Sequence, residues 1–125
     1  MTGIVADASV FGPIFLDDEE ADIIPGLIDA FISGAVVVPT HWRLEVASLL
    51  QSATKRERID PPGFERARAL IEATPVTIDP ETGARALDRT WTLAERHALT
   101  IYDATYLELA ERLGHPLASM ARASF

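Results

Sequence analysis

Two aspartates directly follow short apolar runs of the chain. Asp7 follows the run from Gly3 to Ala6. Asp103 follows the run from Leu99 to Tyr102, at the start of a predicted helix. Short runs rich in β-branched or aromatic residues predict buried strands. Because parallel α/β sheets bind ligands at the carboxyl ends of their strands, we expect both carboxylates at a ligand-binding edge.

The two aspartates differ in how readily a purely structural role explains them. Aspartate is a common helix cap, and capping alone is a sufficient explanation for Asp103. Asp7 ends a strand that we expect to be buried on both faces. A carboxylate there is costly unless it is hydrogen-bonded, paired or bound to a metal, so Asp7 is the stronger candidate for a chemical role.

Glu45 is a third candidate, on a helix that we expect after Pro39. It lies about 80° from the centre of the apolar stripe of that helix, at the border of the core. A glutamate in this position is either a solvated flank or a ligand. Hard divalent cations prefer carboxylate oxygens, so Asp7, Glu45 and Asp103 could form one Mg²⁺ or Mn²⁺ site. Such a site can align a water molecule for attack on a phosphodiester.

Predicted strands and helices alternate along the chain that carries these acids. We predict strands at Gly3 to Ala6, Ala35 to Val38, Val76 to Ile78, Leu99 to Tyr102 and Leu117 to Ala118. We predict two helices between Phe11 and Phe31, and others at Thr40 to Ala53, Phe64 to Ala73, Thr82 to Ala98 and Asp103 to Leu113. This alternation predicts one α/β domain over residues 1–125, with helices on both faces of a mostly parallel sheet of four to five strands.

Composition and charge limit the classes of function. The chain of 125 residues has no cysteine, which excludes disulfides, thiolate zinc sites and a cysteine nucleophile. Its net charge is −8, so RNA binding would need a local basic patch or metal-bridged phosphates. The N-terminus lacks the features of a signal peptide, and the apolar stretch from Ile23 to Val38 is too short to cross a bilayer. We therefore expect a cytoplasmic protein without membrane contact.

Two groups of charged residues have structural interpretations. The basic run from Lys55 to Arg58, with Arg66 and Arg68 following, is either a solvated face or a patch that contacts phosphates. Glu108 and Arg112 are spaced i, i+4 on the last helix. That spacing is typical of an ion pair on a helix surface.

The histidines and tryptophans are expected outside the site. His41, His97 and His115 lie at a helix start, near a helix end and in a turn, and no two of them have the spacing of metal ligands. We expect ordinary structural or surface roles for all three. Trp42 and Trp91 lie within helical patterns, where a core or interface role is the commoner one.

Three segments carry a pattern that extends over essentially the whole chain. IVADAS (Ile4 to Ser9) is an early strand that ends in aspartate. In PTHWRLEVASLL, Glu45 follows Pro39 by six residues. HALTIYDATYLELAERLGHPLAS (His97 to Ser119) is the most specific segment. In order and spacing, these segments resemble the PIN domains and, within that family, the VapC toxins of bacterial toxin–antitoxin pairs.

The resemblance implies a three-layer α/β/α fold and a metal-dependent endoribonuclease. It implies that Asp7, Glu45 and Asp103 are the catalytic and Mg²⁺- or Mn²⁺-binding acids, with Ser9 and Ser119 as polar support. It also implies an RNA substrate, self-association as a homodimer, and a cognate antitoxin of the VapB type. The antitoxin would cover a groove on the apolar helices of residues 11–32 and place a basic residue near the acids.

One position departs from the family pattern. After the last strand the family usually has Thr or Ser, one further residue and then Asp, whereas this chain has Ser119, Met120 and Ala121. Because alanine cannot ligate a metal, we expect a nuclease weakened at this position. Ala121 is compatible with a natural loss, and equally with a substitution that makes a toxic nuclease tolerable to an expression host.

Three alternatives to an active nuclease remain open. The first is a catalytically silent PIN domain that binds its antitoxin or RNA, since Ala121 is present. The second is a phosphoacceptor receiver domain, but such a domain needs a lysine at a late strand end. The only lysine, Lys55, lies in a charged connector after a helix. The third is a purely structural interaction module.

Overall fold

The computed structural model describes residues 3–12 and 26–119 of the chain. The strands are β1 (Ile4–Ala6), β2 (Val36–Val38), β3 (Thr77–Ile78) and β4 (Leu117–Ala118). The helices are α1 (Leu27–Ser33), α2 (Trp42–Lys55), α3 (Pro61–Ala73), α4 (Arg89–His97) and α5 (Ile101–Leu113). Short 3₁₀ turns occupy Ala8–Val10 and Gly83–Arg85.

The four strands form one parallel sheet in the order β3-β2-β1-β4. Val5 of the central strand β1 is in register with Val37 of β2 and with Leu117 of β4. The carboxyl ends of all four strands therefore lie at the same edge. This arrangement confirms the predicted α/β fold with a mostly parallel sheet of four to five strands, here with four strands in the described ranges.

Alternate residues of each strand face opposite helical layers, as the period of two requires. Ala6, Val36 and Val38 belong to the core shared with α1, α2 and α3. Val5 packs on the other face, against Tyr106 and Leu109 of α5. A third cluster joins α4 to α5. Because apolar helices cover both faces of the sheet, a charged group at the end of a central strand is largely removed from water.

Helix boundaries follow local capping chemistry. Asp60 accepts a hydrogen bond of 2.8 Å from the N–H of Gly63, and Pro61 occupies the first helical position of α3, where its missing N–H costs nothing. Gly34 and Gly114 end α1 and α5 in the left-handed conformation, at φ of 73° and 67°. Glycine adopts this conformation without a Cβ penalty, which explains both helix ends.

The strand predicted at Leu99 to Tyr102 is wrong. The N–H of Leu99 bonds to the carbonyl of Ala94 and closes α4. Thr100 caps α5, because its hydroxyl accepts a hydrogen bond of 3.1 Å from the N–H of Asp103. Ile101 and Tyr102 already belong to the first turn of α5. Capping and packing thus override the β preference of these side chains.

The continuous helix predicted from Thr82 to Ala98 is also wrong in its first half. The chain forms a 3₁₀ turn at Gly83–Arg85 and further turns before α4 begins at Arg89. Asp88 has φ −119° and ψ −107°, outside the helical region, which separates the two segments. Of the two helices predicted between Phe11 and Phe31, residues 13–25 lie outside the described residues. Within the described ranges, no helix has the length and apolarity to span a membrane.

Candidate active site

Asp7 lies at the carboxyl end of the central strand, with a side chain only 8% exposed. Its carboxylate accepts a hydrogen bond of 3.2 Å from the N–H of Ser9 and one of 3.2 Å from the hydroxyl of Ser119. Burial raises the pKa of Asp7, while the two hydrogen bonds lower it and the negative charge of Asp103 raises it. The net result is a pKa above the ordinary aspartate value.

Ser9 and Ser119 both donate hydrogen bonds to the Asp7 carboxylate, and their supporting role in a metal site stays a prediction. They approach Asp7 from the 3₁₀ turn after β1 and from the residue after β4. The N–H of Asp7 also bonds to the carbonyl of Ala118 at 2.9 Å, which joins the two strand ends. Ala121, the position of the missing acid, lies outside the described residues.

Glu45 lies in the first turn of α2, and its side chain is 30% exposed. Burial raises the pKa of Glu45, a hydrogen bond from the hydroxyl of Tyr106 lowers it, and the charges of Asp7 and Asp103 raise it again. The pKa of Glu45 is above its ordinary value. The influence of both aspartates shows that Glu45 lies within electrostatic reach of them.

Asp103 lies in the first turn of α5, where it is partly buried. The cap of this helix is Thr100, so the interpretation of Asp103 as only a helix cap is wrong. The negative charge of Asp103 raises the pKa of both Asp7 and Glu45.

The donor chemistry of these three acids fits a hard divalent cation. All donors are carboxylate oxygens, and the neighbouring negative charges that raise the pKa values of Asp7 and Glu45 are the repulsion that a bound cation relieves. In the described parts of the chain, however, no three acidic or histidine side chains are already arranged to hold a metal ion. The acids thus interact electrostatically, and they would have to converge further to coordinate an ion together.

Sequence reasoning missed Tyr106, a residue of this site. Tyr106 is 1% exposed, and its hydroxyl donates to Glu45 from the opposite helical layer. Burial and the contact with Glu45 raise the pKa of Tyr106, so it remains a neutral hydrogen-bond donor. Tyr106 follows Asp103 by three residues on α5, and this shared helix face was the only signal in the sequence.

His41 also lies closer to the site than expected. Its Nε2 is 3.6 Å from a carboxylate oxygen of Glu45 and 3.2 Å from the hydroxyl of Thr105. The ring packs edge-on against Tyr102 and Tyr106. Burial lowers the pKa of His41, which favours the neutral ring. His41 therefore forms part of the wall of the site, against the expectation that it lies outside, and its structural role stays a prediction.

Glu108 and Arg112 form a buried network, so the prediction of a surface ion pair is wrong. Arg112 bonds to Glu108 at 2.8 Å and to Asp79 at 2.7 Å, and the side chains of Glu108 and Asp79 are 3% and 7% exposed. Asp79 directly follows β3, and its carbonyl accepts from the hydroxyl of Thr40 after β2 at 2.7 Å. The network ties α5 to the strand ends that border the site.

Comparisons with known proteins agree with this architecture. The family model described as PIN domain matches residues 4–120. Ribonuclease VapC1 of Mycobacterium tuberculosis, from strains CDC 1551 / Oshkosh and ATCC 25618 / H37Rv, is 34% identical over 116 residues. That match covers 91% of this chain and 81% of the relative.

A solved structure, the crystal structure of PAE2754 from Pyrobaculum aerophilum, matches with a TM-score of 0.68. It is 21% identical, and the match covers 97% of this chain and 76% of that chain. At this identity the likeness supports the fold alone. Taken with the family model and the similarity to VapC1 over most of both chains, the chain belongs to the PIN-domain family, among its VapC-type members.

Proposed function

We propose that this protein is a metal-dependent endoribonuclease toxin of a toxin–antitoxin pair, weakened by Ala121. One observation carries the proposal: the buried carboxylate of Asp7, at the end of the central strand, lies within electrostatic reach of Glu45 and Asp103. The 34% identity to Ribonuclease VapC1 over 91% of the chain supports the choice of RNA as substrate.

Asp7, Glu45 and Asp103 would hold Mg²⁺ or Mn²⁺. A bound divalent ion supplies Lewis-acid stabilisation of the phosphate oxygens and a more acidic water. Ser9 and Ser119 orient the Asp7 carboxylate, since both donate hydrogen bonds to it. The hydroxyl of Tyr106 orients the Glu45 carboxylate in the same way. The burial of Asp7 and Tyr106 excludes competing water from them and strengthens their interactions with charge.

A second candidate function is a catalytically silent PIN domain that binds its antitoxin or RNA. Two observations favour it. Ala121 offers no ligand at the position where the family usually has aspartate. In addition, within residues 3–12 and 26–119 no three acids are grouped so as to hold an ion.

The proposal includes partners and a cellular location. The partner is a VapB-type antitoxin whose arginine enters the acidic site, because a guanidinium can pair with carboxylates bidentately and relieve their repulsion. Its helical segment would lie on the apolar helices of residues 11–32, of which residues 13–25 are outside the described part. The protein would act as a homodimer in the cytoplasm.

The test restores the missing acid. Ala121→Asp should increase the rate of Mn²⁺- or Mg²⁺-dependent RNA cleavage, on the order of 10–100-fold or more, since lost supporting carboxylates typically cost that much. The assay incubates purified protein with total cellular RNA and maps the new ends. Ala123→Asp is the matched control, because it adds the same charge two residues further along. Asp7→Asn in the Ala121→Asp background excludes contaminating nuclease.

Metal-dependent cleavage by Ala121→Asp alone, abolished by Asp7→Asn and by EDTA, would support the toxin proposal. Restored toxicity on expression would agree with it. If folded Ala121→Asp protein cleaves no RNA beyond the parent and the Ala123→Asp control, the nuclease proposal fails. The silent PIN domain would then be the better description.

A further inference from the structure

A groove of about 500 Å³ lies between α2 and α3, outside the acidic site. Its floor is apolar and includes Leu50, Phe64 and Ile71. Three basic residues, Arg43 and Lys55 on α2 and Arg68 on α3, border it together with one acid, Glu72, so the border has a net positive charge. An apolar floor with a cationic border suits an occupant that has both flat apolar parts and negative charges.

The basic residues of the chain are concentrated around this groove. Residues 43–68 contain six of the eleven lysines and arginines and only four acids, so this segment has a net charge of +2. The remainder of the chain has a net charge of −10. An anionic occupant is therefore attracted to this part of the surface and repelled from the rest.

The groove and the acidic site lie on different faces of the same helix, α2, because Arg43 and Glu45 are about 200° apart around it at 3.6 residues per turn. Arg43 is two residues from Glu45, and Lys55 is the last residue of the same helix. At a rise of about 1.5 Å per residue, the two cations are about 18 Å apart along the helix axis. At about 3.4 Å per nucleotide along a stacked strand, this distance corresponds to about five nucleotides.

Phe64 also lines a second cavity, of about 690 Å³, with a different charge. The second cavity is bordered by Glu57, Asp60 and Glu65. Phosphates would be repelled there and attracted on the Arg43 and Lys55 side. The partly buried ring of Phe64 lines both cavities, so it is available as an apolar surface beside the basic border.

We infer that the groove between α2 and α3 binds the single-stranded RNA flanking the bond to be cut, with Arg43 and Lys55 on its phosphates and a base on Phe64. The inference rests on the proposed function for the choice of RNA. Proteins commonly bind single strands by this combination of a cationic track and an aromatic surface. Arg68 can contribute, because its pairs with Glu65 and Glu72, at 3.3 and 3.9 Å, are exposed and thus weak.

An acidic segment of a protein is the competing occupant. It would use the same cations, but it has no requirement for an aromatic ring on the floor. Phe64→Leu therefore distinguishes the two occupants, since it keeps an apolar side chain of similar size and removes the stacking surface. Base stacking on an aromatic side chain is typically strong enough that its loss weakens binding by about fivefold or more.

The experiment measures RNA binding separately from cleavage. The Asp7→Asn protein is titrated in EDTA against a fluorescein-labelled 12-nucleotide single-stranded RNA of mixed sequence, at several salt concentrations, with anisotropy as the readout. The groove variant is Arg43→Gln with Lys55→Gln. The control variant, Arg85→Gln with Arg96→Gln, removes the same charge from residues that do not line the groove.

We expect the groove variant to weaken RNA binding at least tenfold and to lower the slope of log affinity against log salt by about 1.4, since each lost phosphate contact on a single strand removes about 0.7. The control variant should retain the parent slope. Phe64→Leu should weaken binding at least fivefold at an unchanged slope. Thermal melting by circular dichroism verifies that each variant is folded.

The inference fails if the parent does not bind RNA even at low salt. It also fails if the groove and control variants lose binding equally. A labelled glutamate 12-mer tests the competing occupant. If the groove variant loses only the peptide, the groove is a protein-binding surface and the inference fails. If RNA binds in the groove but the Ala121→Asp protein cleaves none, only the proposed nuclease function is refuted. If the groove substitutions leave cleavage by the Ala121→Asp protein unchanged, only the proposed role of the groove is refuted.

Discussion

Replacing Arg112 by methionine should destabilise the fold by about 3–5 kcal/mol, the typical cost of removing one partner of a buried ion pair. Arg112 is 15% exposed and bonds to Asp79 at 2.7 Å and to Glu108 at 2.8 Å. Methionine replaces the apolar stem but leaves two carboxylates that are 7% and 3% exposed without their cation. A loss of this size is a large fraction of the roughly 5–15 kcal/mol that stabilises a typical domain.

The loss should depend on pH with a definite sign. Burial raises the pKa of Asp79, but the hydrogen bonds from Arg112 and from the N–H of Glu81 outweigh it, so the pKa is lowered. In the parent, Asp79 therefore contributes stability above its unfolded pKa of about 3.9, and this is lost as the pH falls through the folded pKa. Without Arg112 the pKa of Asp79 should be raised. Protonation of Asp79 at low pH then removes the free-energy cost of burying its unpaired charge. The difference between parent and variant should shrink from pH 7 towards pH 4.

The assay is urea unfolding followed by circular dichroism at both pH values. Arg89→Met is the matched control, because Arg89 bonds to Glu111 at the same 2.8 Å but both side chains are more than 40% exposed. An exposed pair contributes about 0–1 kcal/mol, so the control should remain close to the parent. Adding Asp79→Asn and Glu108→Gln to Arg112→Met should recover part of the loss. If Arg112→Met costs no more than Arg89→Met, the account of this network is refuted.

Three further predictions concern the acidic site. Asp7→Asn should raise the free energy of unfolding in EDTA by about 1 kcal/mol, or a few degrees in Tm. The reason is that a carboxylate with a raised pKa destabilises the fold as the pH rises through that pKa. An unchanged melting curve at pH 7 would contradict this. Added Mg²⁺ should raise the Tm of the Ala121→Asp protein, because an ion that binds the folded state stabilises it. The increase in Tm should be smaller when Asp7→Asn is also present. Equal increases in the two proteins would place the ion elsewhere. Tyr106→Phe should lower the free energy of unfolding by about 1–2 kcal/mol and raise the pKa of Glu45, because a hydrogen bond to the Glu45 carboxylate is lost. A free energy of urea unfolding equal to that of the parent would disprove that contact.

Local sequence patterns were sufficient to predict the layers of the fold and the position of Asp7 at the end of a buried strand. Val36–Val38 and Ile4–Ala6 are apolar runs too short for helices, and runs of that length that alternate with helices pack as buried parallel strands. The position of Asp7 at the end of β1 follows from the same pattern. The helix ends at Gly34 and Gly114 are equally local, because glycine adopts the left-handed cap conformation without a Cβ penalty.

The structure of Leu99 to Tyr102 is also decided by residues close in sequence. The strand prediction was wrong because the apolar and aromatic side chains of this run drew attention away from a helix-capping pattern. Thr100 and Asp103 have the spacing of a helix cap and its third helical residue, a pattern readable without a structure. A cap bond and the apolar contacts of Ile101 with the cluster between α4 and α5 stabilise the helix more than β propensity opposes it.

Contacts between residues far apart in sequence were decided only by tertiary structure. Tyr106 and Glu45 are 61 residues apart, and Arg112 and Asp79 are 33 apart. Helical periodicity identifies the face on which each residue lies, but it does not specify which residue of another element meets that face. The packing of α2 and α5 at the strand ends brings these groups together, and the exclusion of water there turns an apparent surface pair into a buried network and shifts the pKa values of the acids.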